Sequence, residues 1–370
     1  MLRRLLIAAA LALCSTASPA LNVVFINPGR SDETFWVTAS EAMHAAAQSL
    51  GVKLEVLYAE RDPERALQHG RDVAARPAAQ RPDYAILVNE KNTLVANAQM
   101  LGAVGVKTFA AFSGLLPQER DQWAPRKGLP LLLGSLEPRA HDAGYLTAKA
   151  LIARGLAEPK RYMVDGKLHV IAIAGDRSTP VSIHRNEGLR HAITEHAAQV
   201  ELERQVFADW RRDRAAELMR GLLQGPTKAR LVWAGSDQMA FGAIEALEAS
   251  GGKAGRELLF SGINTSNEAM QAVIDGRLTA LAGGHFIAGA WALVMLYDYD
   301  AGRDFADEGL ELERPMFMLF GREEARRWLA RMGPGAPAGT GFRGLDFRGY
   351  SRALNPQLKR YLFDIGVLLR

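Results

Sequence analysis

From Leu21 onward the chain alternates short apolar runs with amphipathic stretches, and this alternation constrains the fold more than any other feature. The runs at 21–27, 52–58, 84–89 and 106–112 read as strands. The stretches between them, 35–50, 63–75 and 94–102, read as helices, the first stopped by Gly51. Continuously apolar strands are buried on both faces, so they are parallel and joined by right-handed βαβ crossovers. Residues 113–130 interrupt the pattern with Gly114, Pro117, Pro125, Gly128 and Pro130, which reads as a loop or insertion. The alternation then resumes. Helices are expected at 144–155, 182–196, 213–223, 238–250 and 267–275, and strands at 168–174, 200–207, 230–234, 258–263 and 279–282. Two consecutive α/β patterns imply two doubly wound, parallel-sheet lobes. No sequence repeat relates them.

The first twenty residues stand apart. Arg3 and Arg4 precede an unbroken apolar run, 5–13, that is too short to span a bilayer, and Ser18-Pro19-Ala20 supplies small residues for cleavage. This is the pattern of a secretory signal peptide cut after Ala20, which places the chain in the periplasm. A retained anchor is the alternative. Lipid attachment at Cys14, the sequence's one cysteine, is disfavoured because Leu13 before it is not small. The mature chain then has no thiol and no disulfide. It loses two of the +4 formal charges, and residues 333–370 carry six basic against two acidic side chains, so the body at 21–332 is about −2. A body of that charge does not suit nucleic acid. With 48% apolar and 23% charged residues the chain is neither disordered nor a multi-span membrane protein. Residues 333–341 form a Gly/Pro-rich linker, and the aromatics Phe342, Phe347, Tyr350, Tyr361 and Phe363 that follow are expected to dock on a lobe.

Patterns for covalent chemistry are missing. The eight histidines form no HExxH, and His191 and His196 are wrongly spaced to share a helix face. Gly235-Ser236-Asp237 lacks the second glycine of a nucleophile elbow. Gly251-Gly252-Lys253 lacks the rest of a phosphate loop. Glu323 and Glu324 alternate with Arg326 and Arg327 on a solvated helix face. The sequence therefore predicts a non-enzyme with no cofactor and no metal. What remains is a set of residues at strand ends, where open α/β sheets bind ligands. In the first such loop Asp32 or Ser31 caps a helix or faces ligand. Phe35 and Trp36 are adjacent, so both cannot face the core of one amphipathic helix, and at least one is expected in a cleft. Trp210 follows the strand at 200–207 in the same way. Such aromatic faces suit ring-shaped or apolar ligands.

These landmarks together resemble the type I periplasmic binding proteins of the ribose/galactose class over about 22–310. The resemblance rests on the opening Val23-Val24-Phe25-Ile26-Asn27 to Phe35-Trp36, on Leu87-Val88-Asn89 and Arg185-Asn186-Glu187-Gly188-Leu189, and on Ser236-Asp237-Gln238-Met239-Ala240 and Ser261-Gly262-Ile263-Asn264. It implies an α/β fold of two lobes joined by a three-crossing hinge. The crossings are expected at 113–137, 263–264 and 283–285. The first lobe would take 21–112 and 284–310, the second 138–283 and 311–332. The family's stacking aromatics fall on Phe35, Trp36 and Trp210, and its polar positions near Asn89 and Glu90 and on Ser236. Elsewhere its charged positions are replaced, by Phe112 and Ser113, by Ile183, by Asn264 and by Gly283. The resemblance thus implies a ligand with an apolar face and few polar groups, poorly matched by common pentoses and hexoses. It implies a monomeric solute-binding protein that captures a sugar-like or cyclic small molecule and delivers it to an inner-membrane ABC permease. The alternative is a periplasmic sensor subunit serving a membrane kinase or cyclase.

Overall fold

The computed structural model describes residues 20–337, 340–361, 363 and 366. Residues 1–19 of the export segment read at 1–20, and the tail charges Asp364 and Arg370, lie outside these residues. Among the described residues no helix is long and apolar enough to cross a membrane.

The first lobe opens with β1 (Asn22–Asn27), α1 (Thr34–Leu50), β2 (Lys53–Tyr58), α2 (Pro63–Ala75), β3 (Tyr84–Leu87), α3 (Leu94–Ala103), β4 (Lys107–Ala111), α4 (Pro117–Trp123) and β5 (Leu132–Pro138). The second lobe holds α5 (Ala140–Ala157), α6 (Pro159–Tyr162), β6 (Met163–Val164), β7 (Lys167–Ala174), α7 (Pro180–Glu195), β8 (Val200–Phe207), α8 (Arg212–Gln224), β9 (Leu231–Ala234), α9 (Asp237–Ala249), β10 (Leu259–Ile263), α10 (Asn267–Asp275) and β11 (Ala280–Gly283). The chain then returns through α11 (Ala288–Asp300) and β12 (Glu311–Arg314), and crosses again to β13 (Met318–Leu319) and α12 (Arg322–Met332).

The first sheet is parallel throughout, in the order β12-β5-β4-β3-β1-β2. In the second, β11, β10, β9, β7 and β8 run parallel, with β13 antiparallel on one edge and the short β6 antiparallel to the start of β7. The central strands are buried along almost their whole length, as helices covering both faces require. From Ala288 to Leu296 every residue of α11 is buried, because this helix lies between α1 and the strands β3, β4 and β5. Local chemistry fixes where the helices begin. The Asp62 side chain accepts from the Glu64 N–H ahead of α2, and Ser236 and Ser266 accept from Met239 and Ala269 at the starts of α9 and α10. These caps sit where strands end, so the turns that enter the cleft are held rigidly. Gly51 closes α1 in the left-handed conformation, at φ 69°.

Several expected boundaries move. The segment read as an insertion, 113–130, contains α4, and the crossing expected at 113–137 ends in a true strand: β5 pairs with β4 and belongs to the first sheet. Pro and Gly around it masked a buried run. Residues 311–314 also join the first lobe rather than the second, because β12 pairs with β5, Glu311 beside Ser135. The crossings therefore lie at 138–140, 283–288 and 314–318. The turn at 263–264 is not a crossing; it joins β10 to α10 inside the second lobe.

Beyond α12, which packs on α10, the chain passes once more to the first lobe. Short turns at Gly341–Gly344 and Phe347–Tyr350 lie against α1, the latter also against α11. The fully buried Asp298 of α11 anchors the segment, accepting from Ser351 Oγ, from the backbone N–H of Arg352 (2.6 Å) and Ala353 (3.2 Å), and from Tyr361 OH (2.8 Å). Arg352 pairs with Asp307 at 2.6 Å, and Phe363 stacks on Trp291 with centroids 4.5 Å apart.

Candidate functional site

The loops after the strands of both lobes meet across a cleft beside the 283–288 crossing. It is lined from the first lobe by Glu33, Phe35, Trp36, Arg61, Val88, Glu90, Phe112 and Ser113. The second lobe contributes Val181, Arg185, Trp210, Ser236, Asp237, Gln238 and Asn264, and the crossing adds His285. A cavity of about 50 Å³ lies within free space of about 630 Å³ that runs out to solvent.

One tryptophan from each lobe, Trp36 and Trp210, lines this space, each seated on a glycine. A Cβ on Gly29 would stand 1.9 Å from Trp36 Cδ1, and one on Gly175 would stand 2.3 Å from Trp210 Cζ2. Only hydrogen at these positions lets the rings lie so close to the strand-end turns. Trp210 is fixed further by donating from Nε1 to Asp176 Oδ2 at 2.8 Å. The same carboxylate accepts from the N–H groups of Ser178 and Thr179 and from Thr179 Oγ1. Burial pushes the Asp176 carboxyl up, but these bonds outweigh it and hold it below its ordinary value.

Arg185 is the buried cation of the second lobe. It donates from Nη1 to the Gly235 carbonyl at 2.7 Å and meets His285 Nε2 through Nη2 at 2.8 Å. Burial lowers its pKa to about 9, partly opposed by Asp237 and assisted by Arg61. His285 lies between Phe35, stacked at 4.6 Å, and Phe317, tilted at 4.4 Å. Burial, and then the neighbouring guanidinium, pull its pKa well below the usual imidazole range, so it is neutral. Because Nε2 accepts from Arg185, the proton sits on Nδ1. Asp237 is buried as well, which raises its carboxyl pKa against the hydrogen bonds from Asn264 and Ser266. Five buried polar atoms of cleft-lining residues have no partner among the described residues: Trp36 Nε1, Ser113 Oγ, Arg185 Nε, Asp237 Oδ2 and His285 Nδ1. These are three donors, one acceptor and a hydroxyl that can act as either, beside aromatic faces.

Seven of the residues singled out in the sequence line the cleft: Phe35, Trp36, Glu90, Phe112, Trp210, Ser236 and Asn264. Three do not. Asp32 is exposed and pairs with Arg30 at 2.9 Å. Asn89 is buried, but its amide donates away from the cleft to the Gly114 carbonyl and Glu119. Ile183 lies on the helix α7 facing elsewhere, while Val181 and Arg185, one turn apart, face in. Gly283 packs on Asn264 and Thr265, leaving His285 to enter the site. The expected apolar wall with few polar groups is therefore corrected: Arg185, Asp237, Arg61 and His285 bring back the polar chemistry that the replaced positions had seemed to remove. Arg185 and Asp237 stood inside runs already quoted as landmarks, and helical spacing from Val181 was the signal for the first. Among the described residues no group of histidine, cysteine and acidic side chains is placed to hold a metal.

A model of the periplasmic binding protein domain matches residues 23–304. The ribose import binding protein of Haemophilus influenzae is 27% identical over 271 residues, which covers 73% of this chain and 82% of that protein. A crystal structure described as a periplasmic sugar-binding protein from Pseudomonas fluorescens superposes with a TM-score of 0.82 at 37% identity, covering 94% of this chain and 99% of that one. The galactofuranose-binding protein of Escherichia coli is 28% identical over 121 residues, 32% of this chain and 38% of that protein. With two parallel-sheet lobes, three hinge crossings and a cleft built from strand ends, the chain belongs to the periplasmic binding protein family.

Proposed function

We propose that this chain captures a monosaccharide-sized polyol, a sugar or a cyclitol, between its lobes and delivers it to an inner-membrane ABC permease. The observation that carries this reading is the cleft itself. Phe35, Trp36 and Trp210 offer faces for the apolar side of a ring, and the unpartnered atoms of Arg185, Asp237 and His285 offer bonds to its hydroxyls. The relatives' names agree, ribose and galactofuranose among them. The work is binding and hinge closure. The basic aromatic tail, unusual in simple sugar binders, is what raises the sensor alternative; its described residues pack on the first lobe, with Arg352 paired to Asp307.

A thermal-shift panel of ribose, allose, galactose, arabinose and myo-inositol tests the ligand class. At about 100 times its dissociation constant a ligand adds about 2.7 kcal/mol of stability, a shift that is easily read. A panel with no shift at millimolar concentration sinks the polyol reading. Export follows from the leader: periplasmic protein should be monomeric and begin at Leu21. An intact Met1 in the cytoplasm contradicts the delivery role.

A further inference from the structure

Arg61 occupies the place in the first lobe that Trp210 occupies in the second. Each follows the second parallel strand of its lobe, β2 or β8, and each is the second of two non-glycine residues in the left-handed conformation. The φ values are 55° and 62° for Glu60 and Arg61, and 50° and 62° for Asp209 and Trp210. The backbone bonds match too. Glu60 N–H donates to the Gly29 carbonyl and Asp209 N–H to the Gly175 carbonyl, both at 2.9 Å, in each case to the glycine on which a cleft tryptophan rests. Such a conformation in side-chain-bearing residues persists only where the surroundings enforce it.

The side chain that this turn delivers lines the cleft, anchored within the first lobe and close to Trp210 of the second. Arg61 Nε donates to Glu33 at 2.9 Å and Nη1 to Glu90 at 2.6 Å, while Nη2 also reaches Glu33. Burial works against its charge, but the two carboxylates outweigh it and hold the guanidinium above its ordinary pKa. The guanidinium carbon lies 5.9 Å from the Trp36 ring centre and 5.8 Å from that of Trp210, so one cation contacts an aromatic face from each lobe. Arg61 lines the inner cavity and also the outer groove formed by Arg30, Lys91, Asp209 and Arg214. It is common to the linings of both.

We propose that Arg61 is a specificity-determining gate: it closes the outer end of the ligand chamber, so that a ligand must fit wholly behind it. A single ring is enclosed, and a ring extended toward the groove by a second sugar unit is rejected. This rests on the polyol reading above. The two carboxylates make the gate rigid, since they fix a planar guanidinium by three hydrogen bonds, which lysine cannot reproduce.

The test uses the full chain with Arg61→Ala and Arg61→Lys. The probes are the monosaccharide that stabilises the parent protein in the panel and the disaccharides that carry it at either end. The parent should prefer the monosaccharide by at least about 100-fold. In Arg61→Ala its affinity should fall by about tenfold or more, and at least one disaccharide should bind within about tenfold of it. Arg61→Lys should resemble Arg61→Ala. A folded Arg61→Ala protein with undiminished discrimination overturns the gate. If the whole panel fails, the polyol reading is lost, and the gate is judged without sugar by acrylamide quenching of tryptophan emission. Quenching that rises in Arg61→Ala supports it, and unchanged quenching overturns it.

Discussion

Replacing Gly175 with alanine tests the seat of Trp210. The added Cβ would lie 2.3, 2.4 and 2.6 Å from Cζ2, Cε2 and Cη2 of the ring. Ordinary carbon contacts are about 3.5–4.0 Å, so the ring must withdraw by about 1.2 Å or more. A shift of that size along the Nε1–Asp176 bond, now 2.8 Å, takes it beyond hydrogen-bonding range. A bond to an ionised acceptor contributes about 1.5–3 kcal/mol, and Trp210 is only half-buried, so water replaces part of it. The expected loss of stability is about 1–2 kcal/mol, read by urea unfolding. Binding should suffer more. The displaced ring moves toward Arg61 and Arg185, whose guanidinium carbons are 5.8 and 5.5 Å from its centre, and into a cavity of only about 50 Å³. A tenfold or greater fall in affinity for the panel sugar is expected, together with an altered tryptophan emission spectrum. Unchanged emission with affinity within twofold of the parent protein would refute the close packing and the stacking role built on it.

The tail anchor offers a second test. Asp298→Ala leaves the Ser351, Arg352, Ala353 and Tyr361 donors without their acceptor, and should cost about 2–4 kcal/mol. The tail should come loose first, seen as rapid trypsin cleavage after Arg348 or Arg352, whereas an unchanged digestion pattern would mean that the anchor contributes little. His285 gives a pH dependence. Its folded pKa is depressed, so the unfolded chain binds the extra proton between that low value and about 6.5. The contribution to stability is present in full above about 6.5 and is lost as pH falls through this window. Asp237, whose folded pKa is raised, acts with the opposite sign from about 4 upward, so the informative quantity is the difference between the parent protein and His285→Gln. Urea unfolding from pH 7.5 to 4.5 should show the parent losing more stability than the variant on acidification. Parallel curves would show that His285 is not held neutral by burial.

Strands and helices were largely readable from the sequence, because burial on both faces leaves continuous apolar runs and helical amphipathicity leaves a different period. The strand-end position of Phe35, Trp36, Ser236 and Trp210 followed from the same pattern, since a parallel sheet puts its open loops at one edge. Lobe boundaries did not follow. Whether residues 311–314 extend one sheet or the other depends on which edge strand is free, and the pairing of β12 with β5 exists only once the first sheet has formed. Nor did the orientation of individual side chains. Asn89 and Glu90 are adjacent, yet the first donates into the fold and the second accepts from Arg61 in the cleft.

What the sequence by itself determined is therefore the class of fold and the end of each sheet at which a ligand site would form, because hydrophobic periodicity is a local property written residue by residue. What only the tertiary structure decided is the chemistry of that site. Arg61 looks like an ordinary loop arginine until the first lobe's own fold brings Glu33 and Glu90 to it and the second lobe brings Trp210. Arg185 and His285 are a hundred residues apart and become one hydrogen-bonded pair. Charges acquire their meaning from burial and from partners, and both are set by the tertiary fold rather than by the local sequence.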